Sequence, residues 1–134
     1  MNDAARWAEL EAAYASAVYT IDDGSGPAPA MEVAGRHGVT YVIITAHNPL
    51  SVVLTDRENA RRNERLRAAL GDRVCLPAVG GSADGRWSEP SFAVPETEDV
   101  FDLAEQFEQA AVLVVDGSSQ SVRRTFRGLL VPGS

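Results

Sequence analysis

The feature that most constrains the fold is the order of periodic segments after residue 39. The chain there predicts strand, helix, strand, strand, helix and strand, over residues 39–46, 55–70, 74–79, 87–94, 97–109 and 111–115. The strands are short apolar runs rich in β-branched residues. Thr55 and Glu58 form a capping box before the first helix, and Gly71 is a typical terminator after it. This order predicts an α+β fold in which two helices cross one sheet.

The six segments follow the split βαβ order of ferredoxin-like domains. We therefore predict a ferredoxin-like βαββαβ core with an extra N-terminal helix and strand, over residues 3–15 and 17–21, and a C-terminal strand over residues 124–131. Residues 31–34 are interpreted as a short additional strand. The sheet is expected to be antiparallel and to carry the two main helices.

Length and composition bound the class of protein. A chain of 134 residues suits one hydrophobic core, so residues 1–134 are predicted to form a single domain, with a flexible loop at the glycine- and proline-rich residues 22–30. No apolar run approaches the roughly 20 residues of a membrane-spanning helix. The N-terminus lacks a secretory pattern, and Cys75 is the single cysteine. We therefore expect a cytoplasmic protein without membrane segments, intrachain disulfides or a cysteine-based zinc site.

Charge is distributed unevenly along the chain. The formal net charge of −7 disfavours a general nucleic-acid binder, which needs positive charge to displace counterions from phosphates. Residues 57–67 carry five arginines, whereas residues 96–108 carry six acidic residues and no basic one. Both runs are typical of solvated helix faces. They also suit complementary surfaces of a protein-interaction module, for example across a homodimer.

The first helix has polar residues on its apolar stripe. Asn59, Asn63, Leu66 and Leu70 follow spacings of four, three and four, so they share one face. A buried asparagine without hydrogen bonds costs about 1–3 kcal/mol, so partners are required. The preceding residues 45–51, which include Thr45, His47 and Asn48, are the expected partners. Two interpretations stay open: the asparagines fix this segment, or they face a ligand.

A second polar segment lies at residues 87–91. Trp87, Glu89 and Ser91 alternate along a strand and so share one face of the sheet. They form either a pocket wall or an exposed strand face, and the pattern does not decide between these. Neither Ser51 nor Ser91 lies in a nucleophile-elbow pattern that would pair it with His47. No catalytic residue is therefore assigned, and two separated histidines do not make a metal site.

We predict that the two polar segments meet. In a ferredoxin-like sheet, residues 39–46 neighbour residues 87–94, and adjacent strands lie about 5 Å apart. If the second segment faces the helix, one hydrogen-bonded cluster results, with Trp87 as its apolar wall and with members Asn48, Asn59, Asn63, Glu89 and Ser91. Glu89 on the face opposite Asn63 would make this prediction wrong.

Four ordered motifs carry a family resemblance, at residues 44–51, at Glu58-Asn59 with Asn63, at residues 87–92 and at residues 107–112. Over about residues 19–115 the chain resembles the bacterial domain-of-unknown-function 3293 family. The resemblance implies a small bacterial protein without an assigned activity. Its motif residues here are Asn48, Asn59, Asn63, Trp87, Glu89, Ser91 and Gln109. The family often has an aromatic residue at the position of His47, which does not favour this histidine as a catalytic base.

The residues support three functional hypotheses. The first is a non-catalytic ligand-binding or regulatory domain for a small polar, anionic or nucleotide-like ligand, because arginines adjoin the site. Its candidate ligand-binding residues are Thr45, His47, Asn48, Asn59, Asn63, Trp87, Glu89, Ser91 and Gln109. The second is an enzyme that uses Glu89, with or without His47, as general acid or base. The third is the interaction module described above. The sequence identifies no cofactor.

Overall fold

A computed structural model gives the structure of residues 3–47 and 52–125. Its helices are α1 (Asp3–Ser16), α2 (Ala30–His37), α3 (Asp56–Leu70) and α4 (Glu98–Gln106). Its strands are β1 (Val18–Asp22), β2 (Pro27–Pro29), β3 (Tyr41–Ile44), β4 (Leu76–Gly81), β5 (Ser88–Pro95), β6 (Ala111–Val115) and β7 (Gln120–Arg124). The described residues therefore combine four helices with seven strands, as an α+β fold requires.

The strands form one sheet in the order β2-β1-β4-β5-β3-β6-β7. All of its pairings are antiparallel. β3 lies between β5 and β6, and all four of its residues are buried. Its apolar, β-branched sequence is typical of a strand covered on both faces. The predicted central strand is confirmed.

The two faces of the sheet carry separate cores. Ile43 of β3 packs with Val33 of α2 and with residues of β1, while Tyr14 of α1 packs against the same core. Ile44, one residue later, packs on the other face with Leu66 of α3 and with residues of α4. Successive strand residues point to opposite faces, so β3 contributes to both cores. The helix pair α1 and α2 therefore covers one face, and the pair α3 and α4 covers the other.

Local signals set the ends of α3. The Thr55 hydroxyl oxygen accepts a hydrogen bond of 3.2 Å from the main-chain N–H of Glu58, and it donates one of 2.9 Å to the Glu58 carboxylate. Such an N-cap stabilises a helix by about 0.5–2 kcal/mol. The helix ends at Gly71, whose φ of 63° favours glycine. Both predicted boundaries of this helix are confirmed.

Two predicted strands differ from the structure. Residues 31–34 are part of α2, because Ala30, Val33 and Ala34 follow helical spacing and are buried together. The prediction of a strand there is wrong. The last described strand is β7 at Gln120–Arg124, which pairs with β6, and it overlaps the predicted C-terminal strand only at its end. The remainder of that prediction, from residue 126 onward, lies outside the described residues.

The segment over residues 22–30 contains regular structure. It includes β2, which pairs with β1, and the Asp22 carboxylate accepts hydrogen bonds of 2.9 and 3.2 Å from the N–H groups of Gly24 and Gly26. The flexibility of this loop stays a prediction. Within residues 3–47 and 52–125, no helix has the length and apolar character needed to cross a membrane.

Candidate functional site

The predicted polar cluster is divided by the sheet. Along β5, Ala93 belongs to the core beneath α1 and α2, while Val94 belongs to the core beneath α3 and α4. Glu89 and Ser91 alternate in step with Ala93, so their side chains lie on the α1 face. Asn63 lies on the buried stripe of α3, on the other face. The prediction of one shared cluster is therefore wrong. The alternation of side chains along β5 shows which β5 residues share a face of the sheet, but it does not show which face α3 covers.

On the α3 face, Asn63 is the centre of a hydrogen-bonded group. Its side-chain oxygen accepts hydrogen bonds of 2.7 Å from the Ala46 N–H and 3.2 Å from the Thr45 hydroxyl. Its amide nitrogen donates to the main-chain oxygen of Pro90 at 3.0 Å. The Thr45 hydroxyl also lies 2.8 Å from the Pro90 oxygen. We call Thr45, Ala46, Asn63 and the Pro90 main chain the asparagine group. It joins the end of β3 to α3 and β5.

Gln109 and Arg62 extend the asparagine group toward the residues after α4. The side-chain oxygen of Gln109 accepts a hydrogen bond of 2.9 Å from the Thr45 N–H. Arg62 donates to the main-chain oxygens of Ala46 at 2.8 Å and Phe107 at 2.7 Å. Sequence reasoning missed Arg62. A signal was present, because Arg62 is three residues from Asn59 and four from Leu66, at the border of the buried stripe.

His47 and Asn59 lie beside this group. The Asn59 amide nitrogen is 3.4 Å from His47 Nε2 and 3.4 Å from the main-chain oxygen of Leu54. Burial lowers the pKa of His47, against a smaller opposing effect from the Asp56 carboxylate. The imidazole is therefore favoured in its neutral form, with Nε2 able to accept from the amide. Asn48 and Ser51 lie outside the described residues.

On the opposite face, Glu89 lines a half-open cavity of about 610 Å³ between α1 and the β4–β5 hairpin. We call this cavity the Glu89 pocket. Its walls include Leu10, Tyr14 and Ala17 from the α1 side, and Asp84 and Trp87 from the hairpin. The volume lies within the range of about 300–1,000 Å³ that is usual for small-molecule sites. Of the predicted site residues, Glu89 and Trp87 line this pocket.

The Glu89 carboxyl is buried and only half satisfied. The residue is 8% exposed, and one carboxyl oxygen accepts a hydrogen bond of 3.2 Å from Trp87 Nε1. The other oxygen has no hydrogen-bond partner among residues 3–47 and 52–125. Burial raises the pKa of Glu89 from its ordinary value of 4.5 to about 7, although the Trp87 hydrogen bond opposes this shift. Both protonation states are therefore populated near neutral pH. Ser91 donates to the main-chain oxygen of Glu89 at 3.1 Å, not to its carboxyl.

Two glycines permit close packing between the strands beside the pocket. The register aligns Tyr19, Gly80 and Glu89 across three adjacent strands. A Cβ on Gly80 would lie 2.8 Å from the Tyr19 ring, and one on Gly81 would lie 2.5 Å from the main-chain oxygen of Trp87. Only glycine therefore fits at either position without displacement of its neighbours.

The electrostatics of the pocket are negative. Glu89 and Asp84 are acidic, and the described residues that line the pocket include no arginine, lysine or histidine. Burial, together with the nearby Glu89 charge, raises the pKa values of Tyr14 and Tyr19, so both phenols stay neutral. A hydrogen bond from Ser82 holds the pKa of Asp84 below its ordinary range, so Asp84 stays ionised. The pocket can therefore accept hydrogen bonds and positive charge.

A third polar contact, which sequence reasoning did not find, joins the loop after β1 to α2 and β3. His37 Nδ1 lies 2.7 Å from the Tyr41 hydroxyl, and His37 Nε2 lies 2.9 Å from the Asp23 carboxylate. The Arg36 guanidinium is 3.7 Å from the same carboxylate. These contacts anchor the loop. Among the described residues, no group of three or more His, Cys, Asp or Glu side chains is placed to hold a metal ion.

Comparison with known proteins gives one match. The profile of the protein-of-unknown-function family DUF3293 matches residues 44–112, just over half of the chain. No curated protein and no solved structure matches the chain. The matched range contains both the asparagine group and the hairpin half of the Glu89 pocket.

Proposed function

The chain belongs to the DUF3293 family, whose function is unknown, and from that premise we propose that it binds a small, mostly apolar molecule in the Glu89 pocket. The observation that carries this proposal is the Glu89 carboxyl itself. It is buried, faces an open cavity and keeps one oxygen without a hydrogen-bond partner among the described residues. A ligand that donates a hydrogen bond to this oxygen would complete the site.

The hydrogen bonding of the two faces supports a binding role for this carboxyl. Its second oxygen has no hydrogen-bond partner among the described residues and is not fully enclosed, so a ligand in the cavity can reach it. The asparagine group provides a contrast, since both polar atoms of the Asn63 side chain are hydrogen-bonded. All side-chain polar atoms of Asn63 are hydrogen-bonded, whereas only one carboxyl oxygen of Glu89 is. This difference is consistent with a structural role for the Asn63 face and a binding role for the Glu89 face.

The pocket walls support a mostly apolar ligand. Leu10 and Ala17 line the cavity, and the Trp87 indole lies beside the carboxyl that its N–H contacts. Apolar walls with a few polar groups are typical of small-molecule sites, where burial of apolar surface supplies affinity and the polar groups set orientation. Glu89 would orient the ligand, and the apolar walls would hold it.

A fragment screen with two matched variants tests this proposal. Ala12 and Ala13 are both exposed on α1, but only Ala13 lines the pocket. We expect fragments to shift the NMR signals of Trp87 and Glu89 in the wild-type protein. Ala13→Trp should abolish these shifts by filling the pocket, while Ala12→Trp should leave them. Fragment binding that survives in Ala13→Trp would contradict the proposal.

A second candidate function is general acid–base catalysis by Glu89. The pKa of about 7 that burial gives this carboxyl is the observation that favours it, since such a group both donates and accepts protons at neutral pH. His47 contacts Asn59 of α3, on the opposite face of the sheet from Glu89. This placement does not support a joint role for His47 and Glu89. Glu89→Gln, assayed at saturating ligand, should lose turnover of any ligand that is converted. Retained turnover would exclude this role.

The pocket does not support the anionic or nucleotide-like ligand that the arginines suggested. Arg57, Arg61 and Arg65 are exposed on α3, the helix that covers the other face of the sheet. The Glu89 carboxylate would repel an anion, and Asp84 adds to this repulsion only in part, because the Arg86 guanidinium lies 3.4 Å from it. We therefore assign the pocket to neutral or positively charged ligands. The net charge of −7 continues to argue against a nucleic-acid partner.

We also propose that β3–β6 and the helices α3 and α4 form a ferredoxin-like core. Support comes from the strand order β4-β5-β3-β6 and from the antiparallel pairings. Along the chain, α3 lies between β3 and β4, and α4 lies between β5 and β6. A single domain over residues 1–134, a cytoplasmic location and a homodimer remain proposals. Sedimentation equilibrium would test the homodimer.

A further inference from the structure

The Glu89 pocket combines a buried carboxyl, an indole and a second carboxylate at its rim, in a lining whose described residues include no basic side chain. From this combination we propose that the pocket selects an organic cation, a protonated amine attached to an apolar body. This inference rests on the proposed function, because it names the chemical class of the ligand that the same pocket binds.

The geometry of Glu89 and Trp87 suits an ammonium group. The indole N–H occupies one carboxyl oxygen at 3.2 Å, and the second oxygen remains for a donor from the ligand. A charge-assisted hydrogen bond from an ammonium to a carboxylate is about twice as strong as a neutral one. A neutral donor would lack this charge assistance.

The rim of the pocket favours the same charge. Asp84 lines the cavity, and hydrogen bonds from the Ser82 hydroxyl at 2.7 Å and the Arg86 N–H at 3.1 Å hold its carboxylate in place. Arg86 is exposed and does not line the pocket, but its guanidinium lies 3.4 Å from the Asp84 carboxylate and offsets part of that charge. An anionic ligand would therefore be repelled mainly by Glu89, which has no basic partner in the described lining. Repulsion of this kind gives specificity against anions.

Proton exchange accompanies the binding of a cation. Burial raises the pKa of Glu89 to about 7, so part of the empty protein carries a protonated carboxyl at pH 6. A bound ammonium favours the carboxylate, and the proton leaves to solvent. The titratable groups that interact with Glu89 are Tyr14 of α1 and Tyr19 of β1, while Asp84 of the hairpin lines the same pocket and pairs with Arg86. Burial keeps the tyrosines neutral and Asp84 is already ionised, so amine affinity should rise between pH 6 and 8 through Glu89.

Three probes of similar size and different charge test the inference. These are 2-phenylethylamine, 2-phenylethanol and 3-phenylpropionate, each titrated at pH 8 and followed by NMR signals of Trp87. We expect the amine to bind about tenfold more tightly than the alcohol, and the carboxylate to bind least. Glu89→Gln should weaken the amine about tenfold and change the alcohol less than about twofold. Glu64→Gln, at an exposed position on α3, is the matched control and should change neither.

The outcomes separate the two proposals. Equal affinities for amine and alcohol, or tightest binding of the carboxylate, would overturn the cation inference and leave the proposed pocket function intact. Failure of all three probes to perturb pocket signals at 10 mM, together with a negative fragment screen, would overturn both. If Glu89→Gln fails to fold, the wild-type protein still provides a test. Its amine affinity should rise several-fold from pH 6 to pH 8 while that of the alcohol stays constant, and a flat amine profile would overturn the inference.

Discussion

The asparagine group and the Glu89 pocket lie on opposite faces of one sheet, and they differ in how completely their buried polar side chains are hydrogen-bonded. Asn63 hydrogen-bonds through its oxygen to Ala46, just after β3, and through its nitrogen to the Pro90 main-chain oxygen of β5. Glu89 has one bonded oxygen, and its other oxygen lacks a partner among the described residues. A buried polar side chain whose atoms are all hydrogen-bonded makes a fold more rigid. A polar group with a free hydrogen-bonding atom beside a cavity is instead suited to contact a ligand. Burial alone therefore does not identify function.

The largest effect is expected from Asn63→Leu. Leucine has a similar volume but removes the acceptor for the Ala46 N–H and the donor for the Pro90 oxygen. Each buried group left without a partner costs about 1–3 kcal/mol, so we expect a loss of about 4 kcal/mol in the free energy of unfolding. Urea denaturation measures this loss. A change below about 1 kcal/mol would show that the asparagine group is not a scaffold.

Glu89→Gln should change how stability depends on pH. The pKa of Glu89 is about 7 in the folded protein and 4.5 ordinarily, so the folded state binds more protons between these values. Wild-type stability should therefore fall by about 3 kcal/mol as pH rises from about 4.5 to 7. The glutamine variant, which cannot ionise, should lack this part of the slope. Urea denaturation across pH checks this, with Glu64→Gln as control. Equal slopes for the wild-type protein and the glutamine variant would contradict it.

A smaller effect is expected from Arg62→Met. This change keeps the apolar stem and removes the donors to the main-chain oxygens of Ala46 and Phe107. Arg62 is only half-buried, so water replaces part of what is lost, and we expect about 1–2 kcal/mol of destabilisation. Ligand binding in the Glu89 pocket should not change. Lost binding without lost stability would place a functional site on the α3 face.

The smallest effect is expected at the exposed arginines. Arg61 and Arg65 stand away from the buried stripe of α3, so substitution by alanine should change stability by less than about 0.5 kcal/mol. Neither substitution should alter amine binding in the pocket. Thermal denaturation and probe titration of the two variants check both statements. If Arg61→Glu lost binding of the carboxylate probe 3-phenylpropionate in a salt-sensitive way, the result would instead favour an anionic ligand on the α3 face.

Local chemistry was readable from the sequence, and long-range placement was not. Thr55, Glu58 and Gly71 fix the ends of α3 through contacts within a few residues, so the sequence predicts them. The burial of Asn59 and Asn63 follows from helical spacing. The partner of Asn63 on β5 is a main-chain oxygen, which any residue supplies, so no sequence signal marks it.

The position of Glu89 shows the same limit. Its alternation with Trp87 predicts a shared face, and both residues do line one pocket. Which helices cover that face depends on how the whole sheet packs, and a shift of one residue would reverse the answer. The short helix α2 was missed because its eight residues span little more than two turns, too few for a clear period.

The most direct test compares the two faces in one experiment. The affinity for 2-phenylethylamine at pH 8 would be measured by calorimetry in the wild-type protein, in Glu89→Gln and in Asn59→Ala, at a temperature where all three are folded. We expect about tenfold weaker binding in Glu89→Gln and unchanged binding in Asn59→Ala. Unchanged binding in Glu89→Gln with lost binding in Asn59→Ala would contradict it and move the site to the α3 face.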